Sequence, residues 1–169
     1  MKSIKIEIPQ GFQIDEEKST FTNIVFKPIE KKWVDLGLPS GTLWCDINED
    51  GYYSWNEMMN KFDEENLPKL TDFAELYDYC KWKWNDKKKG MSVTGPNGNK
   101  IFIPALGHSN YNNNNRPTFV NITGLYWSAS PCTNFEAYYL VFDNKGCIGP
   151  AGTNLCTHSF TIRCIKRTK

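Results

Sequence analysis

The first part of the chain shows the two-residue alternation of a β-strand. Apolar residues Ile4, Ile6 and Ile8 alternate with charged residues, which is typical of a strand with one buried face. The apolar run at residues 24–26 predicts a second strand. Because this segment is more charged than the sequence that follows, we expect residues 1–32 to form a separate N-terminal β appendage that serves attachment or oligomerisation.

A helical spacing occurs in the middle of the chain. Phe73, Leu76, Tyr77 and Cys80 lie at positions i, i+3, i+4 and i+7, so they share one face of a helix. Thr71 precedes this run and can cap the helix with its hydroxyl group. The pattern therefore predicts an amphipathic helix that begins at Thr71.

Short strands and turns account for most of the remaining sequence. Asn97 and Gly98 favour the positive φ angles of a tight turn, so residues 91–94 and 100–103 are predicted to pair as a hairpin. Loops rich in Gly, Asn and Pro separate further predicted strands at residues 125–128, 137–142 and 160–165. The predicted fold class is α+β, with short antiparallel strands, few helices and long loops in a domain over residues 33–169.

Composition narrows the function classes. The 169 residues, with 40% apolar and 14% aromatic side chains, suffice for one domain with a packed core. A net charge of +1 gives no general attraction to nucleic acid, and no stretch is apolar enough for a membrane span. The first residues lack the apolar centre of a signal peptide. The six cysteines include no C-x-x-C pair, so we expect free thiols.

Several longer motifs carry a family resemblance. Residues 33–44 read WVDLGLPSGTLW and residues 93–105 read VTGPNGNKIFIPA, and YWS, AYYL and FTIRC follow at residues 126–128, 137–140 and 160–164. In this order the motifs resemble the Fibrobacter succinogenes major paralogous domain family, which occurs in Bacteroidetes and their phages. The resemblance implies a C-type-lectin-like fold related to the variable proteins of diversity-generating retroelements and to formylglycine-generating enzymes.

Relatives of this kind present ligand-binding residues from the C-terminal part of the fold, which corresponds here to residues 110–158. Asn and Tyr are common in this stretch, and both combine hydrogen-bonding groups with a low conformational cost of ordering. The asparagine run at residues 112–115 is equally consistent with a flexible polar loop. The candidate ligand-binding residues are Tyr111, Asn112, Asn114, Arg116, Asn134, Glu136, Asn144, Asn154 and His158.

A calcium site is a second candidate. The run DINEDGYYSWNE at residues 46–57 matches the calcium-loop pattern D-x-[DN]-x-[DN]-G-x₅-E, in which oxygen atoms surround a hard cation. No helix is predicted before it, and the resembled family has a similar string at this place without metal. The candidate ligands are Asp46, Asn48, Asp50, Tyr52 and Glu57.

The sequence gives weaker indications of zinc binding and of catalysis. Cys156 and His158 could supply two zinc ligands, but no second pair completes a tetrahedral site. Cys147 and Cys156 lie in the half of the chain where a formylglycine-generating enzyme would need reactive thiols, but the sequence offers little to lower their pKa. No Ser-His-Asp arrangement or phosphate-binding glycine loop is evident. We therefore expect no cofactor except a possible calcium ion.

These observations together predict a non-enzymatic binding or adhesion module for a cell-surface glycan or protein. The family resemblance and the missing export signal suggest a receptor-binding protein on a phage virion, with the bacterial cytoplasm as the other location. A bacterial protein-interaction domain, a calcium-dependent lectin and an enzyme of the formylglycine-generating type stay open as alternatives. A trimer would suit multivalent display of weak binding sites.

Overall fold

The computed structural model describes residues 6–8, 12–20, 22–109 and 116–168. The described chain is mostly β, with two α-helices and several small antiparallel sheets, which confirms the coarse α+β prediction. It separates into two compact units, Met1–Lys31 and Lys32–Lys169. Among the described residues, no helix has the length and apolar character needed to cross a membrane.

The described part of the N-terminal unit includes a strand pair. Strand β1 (Phe12–Ile14) lies antiparallel to β2 (Phe26–Pro28), with Ile14 opposite Phe26. The first predicted strand is wrong at Ile6 and Ile8, because both residues are exposed and belong to no strand. Residues 1–5 of this prediction lie outside the described part. The second strand begins at Phe26, two residues later than predicted.

Two three-stranded sheets open the larger unit. One contains β3 (Trp33–Asp35), β4 (Leu43–Cys45) and β15 (Ile165–Lys166), with β4 in the centre. The other contains β6 (Lys81–Asn85), β7 (Gly90–Thr94) and β8 (Lys100–Pro104). The predicted hairpin is confirmed, because β7 pairs with β8 across residues 95–99. Gly98 in this turn has a φ of +87°.

Helix α2 (Leu70–Tyr79) is the helix that the sequence predicts, but its cap is different. It starts after Lys69, and the Asp72 carboxylate accepts a hydrogen bond from the Lys69 N–H at 2.7 Å. Thr71 lies within the first turn and is not the cap. Phe73 and Leu76 are buried as expected, whereas Tyr77 is 43% exposed, so the buried face is narrower than predicted.

A second helix was not predicted from the sequence. Helix α1 (Trp55–Lys61) follows the short strand β5 (Tyr53–Ser54). Ser54 caps α1, because its hydroxyl accepts from the Glu57 N–H at 3.3 Å and the Glu57 carboxylate accepts from the Ser54 N–H at 2.8 Å. This reciprocal capping box satisfies backbone donors that the helix itself leaves unpaired. A 3₁₀ turn (Glu64–Asn66) leads from α1 towards α2.

The C-terminal half contains a meander of three long strands. Strands β11 (Thr123–Pro131), β12 (Glu136–Asp143) and β13 (Gly146–Leu155) pair antiparallel in chain order. The strands predicted at residues 125–128 and 137–142 are confirmed and extend further. The strand predicted at residues 160–165 is wrong as one element, because the chain there leaves one sheet and joins another.

Residues 161–164, which connect β14 to β15, are buried inside the larger unit. Strand β14 (Ser159–Phe160) belongs to a different sheet from β15, and the residues between them lie in the core. The buried Arg163 side chain donates hydrogen bonds to the carbonyl oxygens of Cys45, at 2.9 Å, and Phe102, at 2.7 Å. These contacts link β4 and β8 and give hydrogen-bond partners to two backbone carbonyl groups.

Candidate functional site

A four-stranded sheet of very short strands forms the centre of the candidate site. Its order is β10 (Pro117–Thr118), β9 (His108–Ser109), β14 and β5. In this sheet Ser159 pairs with both Ser109 and Ser54. Paired residues on neighbouring antiparallel strands point to the same face, so the three serines form a row across the sheet. We call Ser54, Ser109 and Ser159 the serine row.

The opposite face of the same sheet is aromatic. Phe160 pairs with Tyr53 and stacks on Trp127 at a ring-centre distance of 4.2 Å. The Trp127 indole N–H donates to the Tyr53 carbonyl oxygen at 2.9 Å. His108 contacts Phe160 edge to face at 6.2 Å. The aromatic face is thereby anchored in the core, which holds the serine row in a fixed position.

The serine row lines a cavity of about 520 Å³. This volume falls in the range of roughly 300–1,000 Å³ that is usual for small-ligand sites. Tyr52, which precedes β5, and side chains from α1 and the loop after β13 complete the wall. The lining residues are Tyr52, Ser54, Asn56, Glu57, Ser109, Cys156, Thr157 and Ser159.

Among the described lining residues, Glu57 carries the charged side chain. Its Oε2 atom accepts hydrogen bonds from the Ser54 hydroxyl at 2.7 Å and from the Ser54 N–H at 2.8 Å. These bonds, with a smaller effect of Lys61, hold the pKa of the Glu57 carboxyl below its usual range. Glu57 is therefore ionised at neutral pH. It also borders a second cavity of about 380 Å³, together with Tyr53, Asn60 and Lys61.

Tyr52 provides a fixed aromatic wall. Its hydroxyl donates a 2.6 Å hydrogen bond to the Leu106 carbonyl oxygen, and burial raises the pKa of this phenol. The ring is therefore held between the loop before β9 and the cavity. An aromatic ring that loses no further freedom on binding is a favourable contact surface for a ligand.

The thiol and imidazole groups near the cavity are not activated. Cys156 is buried, and burial raises the pKa of its thiol. Burial also lowers the pKa of His108, with a smaller effect of His158. Both groups are consequently neutral near pH 7, where a neutral thiol is a poor nucleophile.

The predicted ligand-binding residues are distributed over several places. Tyr111, Asn112 and Asn114 lie outside the described residues. Arg116, Asn134 and Asn144 are exposed, whereas Glu136, Asn154 and His158 are half-buried.

Two of the predicted ligand-binding residues, Asn134 and Glu136, lie at the end of the meander that is near the cavity. Glu136 pairs with Leu155, one position before the cavity residue Cys156, and the Phe135 carbonyl accepts from the Cys156 N–H at 2.8 Å. Asn134 belongs to the same loop. Asn144 follows the other end of β12, roughly 23 Å away at about 3.3 Å per residue. The structure therefore separates Asn144 from the residues near the cavity.

The predicted calcium ligands are also divided. The Asp46 carboxylate accepts from the Lys32 N–H at 2.9 Å, and the Asn48 side chain donates to the Tyr126 hydroxyl at 3.0 Å. Tyr52 and Glu57, in contrast, line the cavity. Among the described residues, which include Asp46, Asp50 and Glu57, no group of three or more His, Cys, Asp or Glu side chains could hold a metal ion. Calcium binding stays a prediction without support from this geometry.

Sequence reasoning missed most of the cavity lining. Four of the lining residues belong to no recognisable motif: Asn56, Ser109, Thr157 and Ser159. Strands of two residues are also too short to show a period. The one usable signal was Ser54 followed three residues later by Glu57, which is the capping-box pattern. The calcium-loop pattern at residues 46–57 includes the same two residues.

Comparison with known proteins gives no further assignment. No protein-family model, curated protein or solved structure matches this chain. The family resemblance and the C-type-lectin-like fold therefore stay predictions.

Proposed function

We propose that this chain is a non-enzymatic binding module with a C-type-lectin-like fold, which recognises a glycan or protein on a bacterial cell surface. On a phage virion such a module would serve adhesion to the host. The observation that carries the proposal is the cavity of about 520 Å³, which three sequence-distant segments, residues 52–57, 109 and 156–159, line with polar side chains. Preformed cavities with a few fixed polar groups are typical of ligand sites.

The chemistry of the cavity favours binding over catalysis. Cys156 is the thiol of the lining, and its raised pKa leaves it protonated at neutral pH. A formylglycine-generating type of enzyme would need an activated thiol, so the protonated Cys156 weighs against that alternative. The side chain of Cys147 lies outside the described part.

A protein-interaction domain is the second candidate, and a specific surface favours it. Phe119, Val120 and Ile122 are 58%, 36% and 51% exposed in the turn after β10. The turn is fixed, because the Phe119 carbonyl accepts from the Ile122 N–H at 3.1 Å and His108 stacks on the Phe119 ring at 5.6 Å. Exposed apolar side chains on a fixed turn are usual in protein-protein contacts.

The test is binding of fluorescently labelled, multimerised protein to a panel of Bacteroidetes cells, with calcium and with chelator. We expect strain-selective staining that persists in chelator. Asn134→Ala and Arg116→Ala should weaken it, because Asn134 is in the loop bonded to Cys156 and Arg116 adjoins β10. Asn144→Ala is the matched control and should leave staining unchanged.

Each contrary result points to a different alternative. Absence of staining on every strain would refute the adhesion proposal and favour the protein-interaction domain. Loss of staining in chelator alone would favour a calcium-dependent lectin. Equal loss from Asn134→Ala and Asn144→Ala would contradict the location of the site at the cavity end of β12.

A further inference from the structure

We propose that the cavity behind the serine row binds a neutral, polyhydroxylated ligand, a sugar unit of a glycan, without a metal ion. This inference rests on the proposed binding function and specifies its ligand class and site. It selects one of the two ligand classes, glycan and protein, that the sequence leaves open.

The first step is the hydrogen-bonding character of the lining. The hydroxyls of Ser109, Ser159 and Thr157 can each donate and accept, and the Asn56 carboxamide does both. A sugar presents vicinal hydroxyl groups with the same dual character. A wall of groups that can reverse their donor and acceptor roles matches such a ligand better than one with acceptors alone.

The second step is the spacing imposed by the sheet. The serine row runs across β9, β14 and β5, and neighbouring strands lie about 4.8 Å apart. The hydroxyls of the row therefore follow each other at intervals close to one strand spacing. A ligand that bonds to successive members needs polar groups at several positions along its length, as a pyranose ring with its substituents has.

The third step is charge. Glu57 is ionised at neutral pH, and the described lining includes no Lys, Arg or His side chain. An anionic ligand would be repelled by the Glu57 carboxylate, and Lys61, the cation that acts on Glu57, borders the second cavity and not this one. The Glu57 carboxylate already accepts two hydrogen bonds from Ser54, which reduces its attraction for a cation. A neutral ligand that donates hydroxyl hydrogen bonds to Glu57 fits best.

The fourth step is the apolar contact surface. The Tyr52 ring lines the cavity, and its hydroxyl is bonded to the Leu106 carbonyl, so the ring is held in place. Sugars have one face of C–H groups that packs on an aromatic ring. Tyr52 therefore supplies apolar contact while the serine row supplies hydrogen bonds.

The experiment is a glycan array that carries neutral and anionic glycans, probed with the multimerised protein in EDTA. Hits are then measured as free glycans by saturation-transfer NMR. We expect retention on neutral glycans with no loss in EDTA. Asn56→Trp places a large side chain at the exposed mouth of the cavity and should abolish binding. Ser159→Ala removes one hydroxyl of the row and should weaken binding about five- to tenfold.

Asn66→Trp is the matched control. Asn66 is also an exposed asparagine in a helical turn, but it does not line the cavity, so binding should be unchanged. Circular dichroism and thermal unfolding of each variant separate loss of binding from loss of folding.

Failure of this inference differs from failure of the proposed function. If the protein stains cells but retains no neutral glycan, or only anionic glycans, the sugar proposal is overturned and the binding function stands. Neutral glycan binding that survives Asn56→Trp would place the sugar elsewhere and also overturn it. If neither cells nor glycans bind, both proposals fail.

Discussion

Gly107 directly precedes β9, the strand that contributes Ser109 to the serine row. Its replacement by alanine tests how closely β9 and β10 pack. Gly107 has a φ of +66°, and a Cβ atom added to it would lie 1.8 Å from the Thr118 carbonyl oxygen. Its N–H donates to the Thr123 carbonyl at 2.7 Å, so the backbone cannot move away without losing this bond. Alanine would therefore force β9 and β10 apart.

Comparison with Gly98 separates the stability loss of Gly107→Ala into backbone strain and overpacking. It also has a positive φ, of +87°, but a Cβ atom there would meet no atom within 4 Å. Gly98→Ala should cost the backbone strain alone, about 1–2 kcal/mol. Gly107→Ala adds an overpacking cost of about 1–3 kcal/mol, so its total should be about 2–5 kcal/mol.

The assay is urea unfolding of the wild type and both variants, followed by tryptophan fluorescence. We expect Gly107→Ala to lower the free energy of unfolding by at least about 1 kcal/mol more than Gly98→Ala. It should also weaken any ligand binding at the cavity, because Ser109 is two residues away. If the two variants lost equal stability, the close approach of Thr118 to Gly107 would be refuted.

Three further predictions concern the site. Ser54→Ala should lower the free energy of unfolding by about 1 kcal/mol at neutral pH. Because Ser54 lowers the pKa of Glu57 from 4.5, this loss should become smaller as the pH falls through the lowered pKa. Urea unfolding at several pH values measures it, and a loss that does not change with pH would contradict the prediction. In iodoacetamide labelling near pH 8, exposed Cys132 should react before buried Cys80, because burial raises the pKa of Cys80 to about 11; mass spectrometry of the peptides reports the order, and faster labelling of Cys80 would contradict its burial. Calcium should leave the unfolding temperature unchanged, because the described acidic side chains of residues 46–57 form no group that could hold a metal ion. A rise in this temperature that Glu57→Gln removes would instead support the calcium-loop hypothesis.

Local signals predicted the parts of the fold that depend on neighbouring residues. The Asn97-Gly98 turn specified the hairpin of β7 and β8, because few residues adopt a positive φ at low cost. The spacing of Phe73 and Leu76 specified helix α2, since a helix repeats every 3.6 residues. The strand predicted at residues 137–142, between loops rich in Gly, Asn and Pro, is the central strand of the meander.

Tertiary structure alone decided the site. The serine row joins residues 54, 109 and 159, and no periodicity connects positions so far apart in the chain. Their strands contain two residues each, so they exist only because neighbouring strands supply the hydrogen bonds and Phe160 packs on Trp127. The amino-acid sequence by itself determined turns, one helix and the longer strands, whose energies are local. The cavity required long-range pairing, whose energy depends on contacts that form only when the whole unit is folded.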